Sequence, residues 1–174
     1  MGEPLFMAKK EHPKGIYIVA NHDLYAEISH QVMAKLREFS PLVEVYSIDE
    51  AFVDLTGLKR LYKMEYIDLA SHIRKTIKDE LDVNVSIGVS SSKTLAKLAS
   101  DKAKKFDCGV YAINPRFVTE ELKKTQIEEL WGIGRNLTTL FHKSGIITAY
   151  ELVSQSDTWL DKKVGIRARE MKHE

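Results

Sequence analysis

Residues 1–15 are polar and carry Pro4, Pro13 and Gly15, which predicts an irregular lead-in. Residues 16–20, Ile-Tyr-Ile-Val-Ala, form a short apolar run and predict an edge strand. Asn21 and Asp23 are residue types that cap helices. After them Leu24, Ile28, Val32, Leu36 and Phe39 recur at helical spacing, so an amphipathic helix is predicted over 24–39. Ser40-Pro41 ends it. Two arms rich in Val, Tyr, Phe and Thr come next, 43–47 and 51–55, with Gly57 stopping the second. They predict a tight hairpin with Asp49 and Glu50 at or beside its turn. Alternation puts Glu50, Phe52 and Asp54 on one face, and Ala51, Val53 and Leu55 on the other.

Residues 58–63 read as a connector. Leu69, Ala70, Ile73, Ile77 and Leu81 predict a second amphipathic helix over 66–81, whose mixed polar face reads as solvated surface. A strand is predicted over 83–90, interrupted by Gly88, where backbone can approach closely. The run Ser90-Ser91-Ser92 supplies a cap for a helix over 93–104, with Leu95, Leu98 and Ala99 inside. Another short strand covers 109–113. Asn114-Pro115 is a turn or helix start, and 117–123 reads as a short helix. From Gln126 the pattern becomes short helical pieces broken by glycine, at 127–130, 136–143 and 149–153. A domain boundary is therefore expected between 114 and 126. It gives an α+β unit over 16–114, an antiparallel or mixed sheet with helices on one face, and an all-α unit over 115–174.

Composition narrows this picture modestly. The 174 residues are 44% hydrophobic and 29% charged, ordinary for a globular protein. The net charge of +1 gives no global nucleic-acid signal, so a DNA-binding surface would need local clustering. Cys108 is the single cysteine, which excludes an internal disulfide and fits a reducing cytoplasm. No apolar run approaches the ~20 residues that span a bilayer. The six histidines are scattered without zinc-ligand spacing.

The adjacent pair Asp49-Glu50 carries the clearest chemistry. Neighbouring carboxylates repel unless a cation lies near them. A hard ion such as Mg²⁺ takes oxygen ligands of this kind, commonly beside substrate phosphates. An ordinary polar turn is the competing reading, because Asp is frequent in turns.

Three segments share a family resemblance. Ser47-Ile48-Asp49-Glu50-Ala51-Phe52-Val53-Asp54-Leu55-Thr56 resembles the carboxylate motif of the Y-family translesion DNA polymerases, the ImpB/MucB/SamB or UmuC-like group. Val85-Ser86-Ile87-Gly88-Val89-Ser90, with Lys93-Thr94-Leu95-Ala96-Lys97-Leu98-Ala99-Ser100-Asp101-Lys102-Ala103-Lys104, resembles that family's next palm motif. Leu130-Trp131-Gly132-Ile133-Gly134 resembles the start of its thumb hairpin. The motifs stand in family order and cover roughly residues 16 to 155.

The resemblance implies a partial polymerase palm, then a thumb with a helix-hairpin-helix-like motif. It implies nucleotidyl transfer assisted by Mg²⁺, with DNA template-primer and a deoxynucleoside triphosphate as partners. Asp49 and Glu50 match the hairpin's catalytic, metal-binding pair, with Glu50 near the attacking 3′-hydroxyl. Lys104 matches the lysine that reaches the triphosphate, and Asp101 resembles a structural residue of the same motif. Lys97, Gly132, Gly134 and Arg135 fall where DNA backbone would be met, with Lys143 as a further positive charge. Trp131 reads as core rather than a stacking platform. The pattern's first-strand Asp, its fingers and its little finger have no counterpart here, so a shortened member with little activity alone is expected. A homodimer, or a partner chain supplying the missing palm and fingers, would complete or cover the exposed apolar face. A non-catalytic, sequence-independent DNA-binding module is the second reading. A nucleotide cyclase-like palm enzyme is the third, weakened because its Gly-Gly-acid-acid-Phe loop is missing.

Overall fold

A computed structural model describes residues 3–173. Residues 1, 2 and 174, at the ends of the expected lead-in and of the expected second domain, lie outside the described residues. The lead-in is not wholly irregular. Helix α1, Leu5–Glu11, forms after Pro4, with Lys9 and Lys10 in its last turn, where the helix dipole favours cations. None of its residues is buried. The Tyr17 hydroxyl ties α1 to the next segment of chain, with oxygen distances of 2.7 Å to the Ala8 carbonyl and 2.9 Å to the His12 carbonyl.

The strand expected at residues 16–20 does not form. Ile16, Ile18 and Val19 are 90%, 87% and 92% exposed. Strand propensity is realised only where a neighbouring edge supplies hydrogen bonds and packing, and no described strand pairs with this segment. Helix α2, His22–Phe39, then begins at Asn21, whose side chain accepts from the Leu24 amide at 3.1 Å. Its inner stripe packs as expected at Val32, Leu36 and Phe39. Leu24 does not join it and is 45% exposed.

Strands β1, Val43–Val45, and β2, Ala51–Val53, pair antiparallel with Val43 opposite Val53 and Val45 opposite Ala51. The loop between them closes where the Tyr46 and Ser47 amides both donate to the Glu50 carbonyl, at 2.9 and 3.0 Å. The expected connector contains a short helix, α3, Leu58–Tyr62, entered through Gly57 at φ 80°. Helix α4, Tyr66–Leu81, buries Leu69, Ala70, Ile73 and Ile77. Strand β3, Ile87–Val89, is shorter than expected, because it is paired only where β4, Val110–Ala112, runs parallel beside it. Between them α5, Lys93–Ala103, starts at Ser92, whose hydroxyl accepts from the Leu95 amide at 3.3 Å.

The class is α+β, with antiparallel and parallel pairing both present, but the described strands make two separate two-stranded sheets. One apolar cluster centres on Leu69, Ile73 and Ile77 of α4 and takes Val32, Leu36 and Phe39 from α2. A second joins Leu98, Ala99 and Ile113 to the C-terminal helices through Leu122, Ile127, Phe141, Leu152 and Leu160. Those helices are α6, Val118–Lys124, α7, Arg135–Lys143, α8, Ala149–Val153, α9, Asp157–Lys163, and α10, Ile166–His173. Packing is thus continuous from α5 into the helical part.

Candidate active site

A cavity of about 850 Å³ lies between the two sheets. Ala51, Phe52 and Val53 of β2 line one side, and Ile87 and Gly88 of β3 the other. Val32 and Leu36 of α2, with Ile73 and Ile77 of α4, supply apolar walls. The polar rim carries Asp49, Glu50, Lys97 and Lys104. Two segments some fifty residues apart in sequence therefore meet at one opening.

The local chain dictates how each group is held. Asp49 and Glu50 sit in the β1–β2 loop, where a short connection leaves both beside the strand end. Asp49 is exposed and accepts from the Ser47 hydroxyl at 2.7 Å. Glu50 is half-buried and faces Lys97, with 3.3 Å between Oε1 and Nζ. Lys97 lies one turn into α5 and also meets Asp101 at 2.7 Å, its i+4 neighbour. Lys104, at the end of that helix, meets the other Asp101 oxygen at 2.6 Å and stays exposed.

The electrostatics follow from this chain of alternating charges. Burial disfavours the Lys97 ammonium, but the hydrogen bonds and attraction of Asp101 and Glu50 outweigh it, so its pKa is raised. Burial likewise works against the Asp101 carboxylate, and its bonds to Lys104 and Lys97 outweigh that, so its pKa is lowered. Both groups hold their charge through the neutral range. Lys97 thus acts as a resident cation beside the acidic pair. Ser47 and Asp101 complete the arrangement. Asp101 holds Lys97 and Lys104 together, and Ser47 has no role legible from the family pattern. The signal for Ser47 is its place two residues before an Asp, the spacing of a local side-chain hydrogen bond.

Asp49 and Glu50 offer oxygen donors that suit a hard divalent ion completing its shell with water and phosphate. Among the described residues no group of three or more His, Cys, Asp or Glu side chains could hold a metal by itself.

The remaining sequence-derived candidates lie elsewhere. Gly134 is the cap of α7, has no side-chain cap bond, and leads into exposed Arg135. Both line a separate depression with Glu128, Thr138 and Thr139. Gly132, at φ 88°, turns the chain before it in a conformation that favours glycine. Lys143 falls in the last turn of α7. Trp131 is half-buried and packs on the hairpin, its ring 4.9 Å from that of Tyr46 and 5.4 Å from that of Phe52. That aromatic contact joins the glycine-rich turn to the loop bearing Asp49. Among the described residues no helix is long and apolar enough to cross a membrane.

Comparison with known proteins bears directly on this geometry. Residues 1–101 match the model of the impB/mucB/samB family. The chain is 36% identical to DNA polymerase IV 1 of Halalkalibacterium halodurans, over 94% of this chain and 38% of that protein. It is 38% identical to the UmuC protein of Salmonella typhimurium, over 93% of this chain and 39% of that protein. In structure it is similar to a DinB family error-prone DNA polymerase from Sulfolobus solfataricus, with a TM-score of 0.85 and 29% identity. That match covers 98% of this chain and 51% of the other. An insertion ternary complex of Dbh DNA polymerase gives a TM-score of 0.84 at 28% identity, over 98% and 49% of the two chains. The chain therefore spans two fifths to one half of the length of these relatives. The carboxylate hairpin, the lysine-bearing helix beside it and these matches together show that the chain belongs to the impB/mucB/samB family of Y-family translesion DNA polymerases.

Proposed function

We propose that this chain carries part of a nucleotidyl-transfer site of a DNA-repair polymerase. The observation that carries the reading is the shared cavity rim, where Asp49 and Glu50 of one segment meet Lys97 and Lys104 of another. Asp49 and Glu50 would hold Mg²⁺, which when bound neutralises charge on phosphate oxygens. Lys104 is exposed at the rim and suits a triphosphate, being a compact cation on a flexible stem. Residues 16–114 would form the palm part and 115–174 the thumb part. DNA template-primer would lie along the face shared by the rim and the α7 turn, where Gly132, Gly134 and Arg135 meet backbone phosphate. Contacts of that kind are independent of sequence and sensitive to salt.

Alone, the chain is expected to extend primers weakly, because two carboxylates are a sparse cage and the chemistry is nearly all positioning and electrostatics. A further carboxylate entering the cavity from another segment or chain would complete it. The test is Mg²⁺ and Mn²⁺ binding by calorimetry, with and without a deoxynucleoside triphosphate, for the wild type and Asp49→Ala. Metal binding that requires nucleotide and is lost in Asp49→Ala supports the reading. No binding in either protein removes it.

A non-catalytic DNA-binding module remains the second reading, favoured by the uncapped α7 start behind two glycines. It predicts DNA affinity that survives Asp49→Ala and falls with salt.

A further inference from the structure

Three rings meet where the glycine-rich turn approaches the hairpin. The Trp131 ring centre lies 4.9 Å from that of Tyr46 and 5.4 Å from that of Phe52, and those two are 6.4 Å apart. These edge-on and tilted contacts fall within the range in which aromatic pairs attract. The sequence around Trp131 explains why its ring is free to reach the hairpin. Its neighbours Leu130 and Ile133 are buried in the cluster of the C-terminal helices, and the Ile133 amide donates to the Leu130 carbonyl at 3.1 Å. The turn is thus fixed on both sides of the indole. On the hairpin, Tyr46 stands at the base of the acidic loop. Its amide and that of Ser47 close the loop by donating to the Glu50 carbonyl at 2.9 and 3.0 Å. Asp49 takes its hydrogen bond from Ser47, inside the same loop, so its placement follows from how the loop base is held.

We propose that Trp131 is a positioning residue: its ring fixes Tyr46, and through Tyr46 the loop that presents Asp49 and Glu50. The proposal rests on the reading of those two carboxylates as ion ligands. A second contact on the hairpin comes from α5, where Lys93 Nζ lies 2.6 Å from Glu44 and 5.7 Å from the centre of the Phe52 ring. Both side chains of that ion pair are about half exposed, and pairs in such a setting contribute little. Glu44 also sits within β1 opposite Phe52, so Lys93 grips the paired strands rather than the loop. Lys97 reaches Glu50 and leaves Asp49 to Ser47. Trp131 is therefore the contact from outside the hairpin that supports the loop base. A residue packed on the C-terminal helices in this way sets the geometry of carboxylates that lie some eighty residues earlier in the chain.

Amide exchange followed by nuclear magnetic resonance tests it on the wild type, Trp131→Ala and Trp131→Phe. The Tyr46 and Ser47 amides should exchange about tenfold faster in Trp131→Ala, the effect of losing one aromatic pair on a local opening. Ile73 and Ile77 of α4 belong to the other cluster and report global unfolding, so the loop amides are read relative to theirs. Trp131→Phe keeps a ring beside Tyr46 and should recover most of the protection. Tyr46→Ala removes the partner ring at a position 53% exposed, which spares the fold, and should release the Ser47 amide to a similar degree. In that background Trp131→Ala should add little further. Calorimetry with Mn²⁺ and a deoxynucleoside triphosphate gives the second readout, with binding several-fold weaker in Trp131→Ala and close to the wild type's in Trp131→Phe. Loop amides that exchange alike in Trp131→Ala and the wild type overturn the proposal. Trp131→Phe behaving like Trp131→Ala overturns it too, as do fully additive effects of Trp131→Ala and Tyr46→Ala, or Mn²⁺ binding that Trp131→Ala leaves unchanged. A wild type that binds no Mn²⁺ removes the ion-site reading instead, and the exchange comparison still decides whether Trp131 holds the loop.

Discussion

Lys97 pairs with Glu50 of the acidic loop. Its ammonium lies 3.3 Å from Glu50 and 2.7 Å from Asp101, so it shields Glu50 without any bound ion. Only a fifth of its side chain is exposed, which limits screening by solvent. Replacing it with an uncharged residue removes the cation beside Glu50 and leaves Asp101 with Lys104 alone. Lys97→Gln is therefore expected to bind Mn²⁺ several-fold more tightly than the wild type, read by the same calorimetry. Unchanged or weaker binding would mean that Lys97 does not compete with a divalent ion. Helical spacing puts Lys97 on the right helix in sequence. Its approach to Glu50 is a distance between segments that no spacing contains.

At the scale of elements, β3 and α5 are locked by one missing side chain. A Cβ on Gly88 would overlap the Ala96 carbonyl and the Ser100 amide, both backbone atoms of α5. The Ser100 hydroxyl completes the contact by donating to the Ser86 carbonyl at 3.1 Å. Backbone on both sides leaves little room to relax, so Gly88→Ala should cost about 3 kcal/mol, seen as a lowered urea midpoint at unchanged slope. A cost below about 1 kcal/mol would show that the strand slides aside. Because α5 carries Lys97 and Lys104, the same change should also weaken the site. Both caps, Asn21 and Ser92, were legible because a capping bond spans three residues. That residues 16–20 form no strand was not legible, because a strand needs an edge that only another segment can provide.

For the whole molecule, Glu121 links three elements. Its carboxylate on α6 pairs with Lys102 of α5 and accepts from the Tyr111 hydroxyl of β4 at 2.9 Å. The Lys102 hydrogen bond holds Glu121 below its usual 4.5, against an opposing effect of burial and with help from Tyr111. A lowered folded pKa means that the unfolded chain binds the proton first as acid is added. The stabilisation is therefore whole above about 4.5 and is lost as pH falls through the folded value. Glu121→Gln should lower neutral stability by about 2 kcal/mol and flatten the acid limb of melting temperature against pH. An acid limb as steep as the wild type's would assign it to other groups, Asp101 first among them.

The sequence by itself determined helices α2, α4, α5, α6, α7 and α8, the caps at Asn21 and Ser92, the hairpin and the three family motifs, and so the α+β class and the family, while α1, α3, α9 and α10 were not read from it. These depend on periods of two and 3.6 residues and on hydrogen bonds spanning a few positions, all local quantities. It also marked Asp49, Glu50, Lys97 and Lys104 as residues of interest, each within its own segment. Only the tertiary structure decided that the strands divide into two pairs around a cavity and that Lys97 faces Glu50 there. It also decided that Trp131 rests on the hairpin rings rather than in the core of the helical part. Those outcomes turn on which sheet edges find partners and which faces meet. Such contacts between distant segments are settled by packing the whole chain at once.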